Sequence, residues 1–473
     1  MHTHIYKKPR ISVWFFVCAR TTLAQNARMG LYGEVILGYY YRRMNRTVGI
    51  ILGDFIAFWV SFVLLIFIRF GEKGYISAIN KHIFPFFILY LSWVLIFYIF
   101  GLYNLVAIKP TIPYLKRWIM AILGSFIIGI LLFYFIPIFG ISPKTNLIIQ
   151  IIGFGGLSFF FRRIIYTLFS KTITGPAILI GDSTYLSELE KTILGSPQIG
   201  LRIIGKFNKM SDLNLKLEEI KNLVVIIDKN IEIQDQNILN FYKEGIDIID
   251  TAEAYEKYLY KIPVEYIDIK FIIENVKVRR DNLYKFMTFV INIIFSITIL
   301  IVASPFLLIS AISVYLYDKG PIFYTHERVG LGGKKFKLYK IRSMNVDAEK
   351  DGIRWSTGAN DPRITPVGKI IRKLHIDEVP QMISVIKGNM SLVGPRPERP
   401  EFVEILNKEI PYYSFRHVVR PGFTGWAQIK YRYARSVDDS KEKFEYDLYY
   451  IKNKNIFLDF GIILRTIQII LTH

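Results

Sequence analysis

Residues 372–400 read RKLHIDEVPQMISVIKGNMSLVGPRPERP. Two carboxylates, Asp377 and Glu378, stand side by side, with Arg372 and Lys373 shortly before them. After Pro380 comes a short apolar-periodic run (Met382, Ile383, Val385, Ile386), which Gly388 and Asn389 end as helix C-terminal residues do. In Gly394-Pro395-Arg396-Pro397 two prolines fix φ on either side of one guanidinium. Carboxylates beside several cations suit phosphate and divalent-metal chemistry. The carboxylate binds the ion or attacks phosphorus, and arginine forks the phosphate oxygens. The same spacing also fits an ordinary surface ion-pair network, so spacing alone leaves both readings open.

Working outward, further pieces stand in order: SPFLL (304–308), GPIFYTHERVG (320–330), FKLYKIRSM (336–344), NDPRIT (360–365), RPGFTGWAQI (420–429) and YDLYYIKN (446–453). With IDEVPQMISVIKGNMSLVGPRP they resemble the bacterial sugar transferases, the polyprenyl-phosphate glycosylphosphotransferases or phosphoglycosyl transferases. The resemblance covers about 285 to 473. The upstream half resembles the large membrane-embedded branch only in layout. The resemblance implies that Asp377 is the nucleophile and Glu378 its partner. It also implies a divalent ion, usually magnesium, held by Asp377. The implied reaction moves a sugar phosphate from a nucleoside-diphosphate sugar, typically UDP-linked, to polyprenyl phosphate, typically undecaprenyl phosphate. UMP leaves, and a diphosphate-linked lipid sugar begins a capsule, exopolysaccharide or O-antigen. A two-step route through a phosphosugar on Asp377 is expected. The rival readings are a catalytically inactive membrane adaptor or regulator, against which the intact Asp377, Glu378, Arg372 and Arg396 argue, and a transferase that moves the sugar alone and releases UDP.

Composition sets the environment. Hydrophobic residues make up 52% of 473, with 36 Phe and 30 Tyr, and mean hydropathy is +0.31. That is too apolar for an ordinary soluble enzyme and calls for membrane segments. The net charge of +21 comes without helix-turn-helix, zinc spacing or RNA-binding signature, which argues against nucleic acid as a partner. Juxtamembrane cations facing anionic lipid and phosphate-bearing substrates explain it more simply. A single cysteine, Cys18, excludes internal disulfides.

Residues 1–47 read as a basic N-terminal extension, with Met44 as the natural initiator. Four membrane spans follow within 48–170, at about 48–68, 83–103, 118–139 and 147–166, each near the ~20 residues a bilayer requires. Basic residues precede the first span, Arg162 and Arg163 stand at the end of the fourth, and Lys171 follows it. The positive-inside rule therefore puts the catalytic half in the cytoplasm, at the bacterial inner membrane. Residues 171–272 read as a small Rossmann-like α/β domain, with strands at 177–181, 223–228 and 245–250. Its dinucleotide fingerprint is broken, since Ser183 and Leu186 stand where the second and third glycines belong. A regulatory or dimerising module, and hence a homodimer, is expected. The catalytic domain occupies 280–473, an α+β unit without a GT-A or GT-B nucleotide fold. Its apolar run 285–317 would make a helix of about 50 Å, longer than the ~30 Å hydrocarbon core. Pro305 removes a donor beneath the Ile301 carbonyl, so a bend at Ser304-Pro305 is expected. The family resemblance makes this a re-entrant helix. Asn292 stands where many members carry Asp, which puts a polar anchor at the bend in doubt. The last apolar stretch, 456–471, reads as a helix on the membrane surface or packed on the core.

Lys340 and Arg342 flank Ile341, so on a strand they share a face, for phosphate or nucleotide or merely toward solvent. Arg363, Arg372 and Arg396 are the candidates for gripping the diphosphate and the lipid phosphate. Arg420 joins them as a candidate substrate residue, though it and Arg328 also fit structural roles. His326 stands where many members have Gln, which makes it dispensable for chemistry. Trp426 and the tyrosine-rich stretches 431–433 and 446–450 fit either interfacial anchors or a base-stacking surface.

Overall fold

The computed structural model describes residues 32–103, 111–135, 143–171, 175–268 apart from 197–198, 211–219, 221–222, 232–239 and 242, residue 271, and 282–471 apart from 351–360 and 432–435. The expected extension falls largely outside them. Residues 32–47 are helical and run straight into the first apolar helix.

Five described helices are long and apolar enough to cross a membrane. Four of them lie in the N-terminal part. A helical stretch from Tyr32 to Ile99 is broken at Gly71, whose φ of +61° only glycine adopts readily. The break separates α1 (Val48–Glu72) from α2 (Gly74–Ile99). α3 (Ile112–Phe135) and α4 (Pro143–Lys171) follow. The second and third apolar helices thus start several residues earlier than expected, because helix propensity carries past the edge of the apolar run.

Phe58, Trp93, Phe97 and Phe154 fill the centre of this bundle, while outward apolar side chains such as Ile68 and Ile152 stay uncovered. Polar rungs tie the helices. Arg162 on α4 is fully buried and pairs with Asp54 on α1, which also accepts from Ser158 at 2.7 Å. Gln150 donates to the Phe58 carbonyl at 3.0 Å, and Asn146 meets His82 at 3.2 Å. Arg162, counted above with the inside-facing charges, is therefore an internal group of the bundle. Arg163 beside it is exposed.

A parallel α/β unit comes next. Strands β1 (Gly175–Ile180), β2 (Leu201–Phe207), β3 (Val224–Ile227) and β4 (Asp247–Asp250) lie in the order β2-β1-β3-β4, all parallel. α5 (Thr184–Gly195), capped by Ser183, and α6 (Thr251–Tyr258), capped by Asp250, cover it. The sequence reading missed β2. LRIIGKF is an edge strand with exposed Arg202 and Ile204, so it lacks the apolar run that betrays its neighbours.

The C-terminal part opens with α7 (Asn282–Asp318). β5 (Phe323–Val329) and β6 (Lys335–Ile341) form an antiparallel hairpin. α8 (Pro366–Lys373), a 3₁₀ segment Ile376–Gln381 and α9 (Met382–Ile386) follow. β7 (Ser391–Val393), α10 (Pro400–Glu409), β8 (Gly422–Thr424), α11 (Trp426–Lys430), α12 (Val437–Asn453) and α13 (Ile456–Leu471) complete the chain.

α7 is helical across Pro305. The Ile301 carbonyl, left without its usual donor, accepts from the Ser304 hydroxyl at 2.7 Å. Asn292 is a polar anchor after all. Its side-chain amide donates to the Ser391 hydroxyl at 3.1 Å, and its carbonyl oxygen accepts from Leu392 N at 3.0 Å. The amide serves because the site demands a donor as well as an acceptor. α13 packs on the core through Ile462, which is buried, while Phe457 is 83% exposed.

The α/β unit is bolted to α12. Lys261, 3% exposed, meets Glu188 on α5 at 3.0 Å and, on α12, Glu442 at 3.3 Å and Glu445 at 3.5 Å. Trp426 stacks on Tyr449 and donates to the Tyr260 carbonyl at 2.9 Å. It is a joint between the two units, neither an exposed interfacial anchor nor a stacking surface, and Tyr450 likewise lies in the core. Tyr431 donates to Asp439 on α12 at 2.5 Å, and Tyr433 lies outside the described residues.

Candidate functional site

The hairpin β5–β6, the end of α8, the 3₁₀ segment and the Pro-Arg-Pro loop enclose a cavity of about 380 Å³. Asp377 lines it, and Glu378 beside it pairs with two of the lining cations, Lys340 and Arg396. His375 precedes them at φ +55°, a left-handed step that ends α8 and turns the chain into the 3₁₀ segment. Both carboxylates thus sit on a 3₁₀ segment, Ile376–Gln381.

The loop carrying Arg396 is held by close backbone approach. A Cβ on Gly394 would stand 2.4 Å from the Arg420 carbonyl oxygen, and Gly422 is equally tight against Gly394. Only glycine lets these two segments cross. Arg416, buried, then donates to the Arg396 carbonyl at 2.9 Å and to Asp447 on α12 at 2.8 Å.

The two carboxylates differ sharply. Glu378 accepts from Lys340 and from Arg396, each at 2.7 Å. Burial alone would raise its pKa, but the Arg396 guanidinium and the Lys340 ammonium hold it well below the usual carboxylate range. Lys340 shares that one carboxylate with Arg396, and its burial leaves its own pKa lowered. Asp377 is 7% exposed, and among the described residues no hydrogen bond or ion pair reaches its carboxylate. Burial, and then the Glu378 charge, raise its pKa.

The sequence-derived candidates divide by geometry. Lys340, Arg342, Arg363, Arg372 and Arg396 all line the cavity with Asp377. Arg342 is buried, paired with Asp318 at the end of α7, and donates to the Pro321 carbonyl at 2.6 Å. Arg363 is held by Asp361 at 2.7 Å and 2.9 Å. Arg372 has no carboxylate partner among the described residues. Arg420 is exposed and outside this cavity; only its backbone meets the Gly394 loop. Ser304 and Pro305 lie in the exposed middle of α7, away from the cavity lining.

Sequence reasoning missed Arg399, Glu349 and Tyr324. Arg399 pairs with Glu349 and donates to the Tyr324 hydroxyl at 3.2 Å. Tyr324 in turn donates to Glu349 at 2.8 Å. Arg399 was visible as the last cation of GPRPER, but nothing in the order of residues shows that it meets Glu349.

Among the described residues no group of three or more His, Cys, Asp or Glu could hold a metal. Magnesium bound with a phosphorylated substrate needs no such cage: one carboxylate, phosphate oxygens and water complete its octahedron. Asp377, unpaired and facing the cavity, fits that role, whereas Glu378 is already committed to two cations.

The site is thus a cation-lined cavity with one carboxylate left unpaired among the described residues, in a chain that carries long apolar helices. A model of the bacterial sugar transferase family matches residues 283–473. The UDP-N-acetylgalactosamine-undecaprenyl-phosphate N-acetylgalactosaminephosphotransferase of Aeromonas hydrophila is 44% identical over 190 residues, 40% of this chain and 45% of that one. A Bacillus subtilis (strain 168) protein, provisionally named an undecaprenyl-phosphate N-acetylgalactosaminyl 1-phosphate transferase, is 50% identical over 127 residues, 27% of this chain and 70% of that one. The UDP-glucose:undecaprenyl-phosphate glucose-1-phosphate transferase of Escherichia coli (strain K12) is 39% identical over 180 residues, 37% of this chain and 38% of that one. The chain belongs to the bacterial sugar transferase family. Its match spans less than half the length of the Aeromonas and Escherichia relatives.

Proposed function

We propose that this protein transfers a sugar 1-phosphate from a nucleoside-diphosphate sugar, of the UDP type, to undecaprenyl phosphate or a related polyprenyl phosphate. UMP is released. The observation that carries the reading is Asp377: a buried carboxylate with no partner among the described residues, in a cavity walled by Lys340, Arg363, Arg372 and Arg396. Carboxylates in such surroundings normally form ion pairs. One left free, and raised in pKa, is held ready for a ligand.

In the first step an Asp377 carboxylate oxygen attacks the sugar-bearing phosphorus. The new O–P bond forms as the bond to the leaving phosphate breaks, and UMP departs with the electron pair. In the second step an oxygen of the lipid phosphate attacks the same phosphorus and releases the Asp377 carboxylate. Both nucleophiles are anions already, so no general base is required. The two bulky anionic substrates occupy the site in turn. Arg372 meets the incoming phosphate charge. Glu378 holds Lys340 and Arg396 in place and does not attack. Magnesium, when bound at Asp377 with the diphosphate, would neutralise phosphate charge.

The membrane arrangement belongs to the same reading. α1–α4 are four spans, and α7 is a re-entrant helix that enters and leaves on the cytoplasmic face. In support, both ends of α7 are tied to one catalytic body. Tyr284 donates to Asp459 at 2.7 Å, and Asp318 pairs with Arg342. Its middle is uncovered, with Ile301 and Val302 each 67% exposed. The α/β unit is Rossmann-like, without a nucleotide role, and assembles the enzyme as a homodimer at the bacterial inner membrane. In support, the crevice where such folds take a pyrophosphate is filled from within. Asp228 accepts from Ser183 N at 3.2 Å and from Tyr266, and a Cβ on Gly181 would stand 2.5 Å from Asp228.

The test is UMP release by membranes supplied with donor alone. An enzyme-stoichiometric burst, with radiolabelled sugar phosphate retained on the protein and lost in Asp377→Asn, is expected. If UMP forms only after polyprenyl phosphate is added, a direct transfer replaces the covalent route. If UDP forms instead, the sugar alone is moved and the reading fails.

A further inference from the structure

On the hairpin wall of the cavity, one neutral side chain has both of its polar atoms buried and unpaired among the described residues. Tyr324, His326 and Arg328 alternate along β5 and so share one face of the hairpin. The hydroxyl of Tyr324 is taken by Glu349 and Arg399. Arg328 stands 3.7 Å from Glu398. His326 stacks on Tyr324, ring centroids 5.2 Å apart at 29°, and among the described residues neither ring nitrogen has a hydrogen-bond partner. Both nitrogens are shielded from bulk water, where an unpaired polar group is unfavourable and calls for an explanation.

The surroundings fix the protonation of the ring. Burial, with Arg328, Lys340, Arg399 and Arg396 nearby, drives its pKa down to about 2. The imidazole is therefore neutral at every working pH. It carries one donor and one acceptor nitrogen, set among cations that have neither acceptor nor neutrality to offer. Phosphate is the natural ligand of those cations. A neutral imidazole is not needed for phosphate, and suits a neutral group that itself has a donor beside an acceptor.

We propose that His326 is a donor-recognition residue, pairing through its free ring nitrogens with an uncharged polar edge of the nucleoside-diphosphate sugar while the neighbouring cations hold the diphosphate. This rests on the transfer reaction proposed above. Two parts of such a donor carry that chemistry, the nucleobase with its imide edge and the sugar with its hydroxyl or acetamido groups. The χ2 torsion of histidine is soft, so turning a nitrogen into the cavity costs little.

The experiment uses the full-length protein in detergent and compares wild type, His326→Phe and His326→Gln. Phe keeps the ring and its stacking but loses both polar atoms; Gln restores a neutral donor and acceptor. Affinities are measured for inorganic diphosphate, UDP, UDP-glucose and UDP-N-acetylgalactosamine, alongside KM and kcat for whichever donor wild type turns over. Expected is a loss of about tenfold or more in donor affinity and KM for His326→Phe, with kcat little changed, diphosphate affinity unchanged, and recovery in His326→Gln. Loss for both UDP and the UDP-sugar assigns the contact to the nucleoside. Loss for the UDP-sugar alone assigns it to the sugar. No change for any nucleotide, or an equal loss that includes inorganic diphosphate, overturns the inference. A wild type that neither binds nor turns over a nucleoside-diphosphate sugar overturns the proposed reaction itself.

Discussion

Asp377 and Glu378 are neighbours in sequence and opposites in electrostatics. Glu378 is stabilised as an anion by Arg396 and Lys340, while burial and the adjacent charge of Glu378 work against ionised Asp377. Asp377→Asn should abolish turnover, because an amide is neither a nucleophile nor a good magnesium ligand. Glu378→Gln should leave a trace of activity and loosen Lys340 and Arg396, seen as lost donor affinity. The raised pKa of Asp377 also sets a pH dependence. The attacking carboxylate must be ionised, so activity falls as pH drops through its raised pKa. The acid limb of kcat/KM should therefore lie above that of an ordinary aspartate. A limb at or below the ordinary value would count against Asp377 as the reacting group. His326, neutral throughout, should add no limb near its usual pKa of 6.5.

At the scale of elements, two features are exposed to single changes. The Ser304 hydroxyl caps the Ile301 carbonyl that Pro305 leaves open. Ser304→Ala should cost about 1–3 kcal/mol where the carbonyl meets no water, read as a lower midpoint in thermal unfolding of the detergent-solubilised protein. The second feature is the crossing of Gly394 and Gly422. Gly394→Ala puts a methyl 2.4 Å from the Arg420 carbonyl. The Pro-Arg-Pro loop must then shift, at a cost of about 1–3 kcal/mol or more. Because that loop carries Arg396, activity should fall further than stability does. Equal activity per folded molecule would show that the loop position is irrelevant.

For the whole molecule, α12 is the keel. One turn holds Glu445 against Lys261 and the α/β unit, and Asp447 against Arg416 beneath the Arg396 loop. Lys261→Ala leaves buried Glu445 without its cation, at a cost of about 3–5 kcal/mol. Limited proteolysis should then cut between the α/β unit and α7. Burial raises the pKa of Glu445 from 4.5 to about 7, against the opposing pull of Lys261. A raised carboxyl contributes stability that is full below its unfolded pKa and lost as pH rises through the folded one. Stability should therefore decline between about pH 4.5 and about pH 7, and Glu445→Gln should flatten that decline. The direction of α7 is testable at the same scale. Single cysteines at Asp268 and Lys319, with Cys18 replaced, should label from the same side of the membrane. Labelling from opposite sides would make α7 a fifth span.

The residue order by itself determined the family, the apolar helices, the Asp-Glu pair and most of the cations around it. Those features are local: runs of apolar residues, turn residues at fixed offsets, and short motifs whose chemistry travels with their letters. It also showed that the Rossmann fingerprint is broken, though not that Asp228 fills the space. The tertiary structure alone decided which charges are spoken for. Lys340, Arg342, Arg363 and Arg396 look alike in sequence, yet Arg342 is tied to Asp318 and Arg363 to Asp361, while Arg372 pairs with no carboxylate among the described residues. Partners that lie tens of residues away, such as Arg399 with Glu349 and Lys261 with Glu445, leave no periodic trace. The same holds for Trp426, whose joint with Tyr260 spans 166 residues, and for His326, whose ring nitrogens find no hydrogen-bond partner among the described residues. Ion pairing and burial are set by distance in space, and distance in space is what residue order does not encode directly.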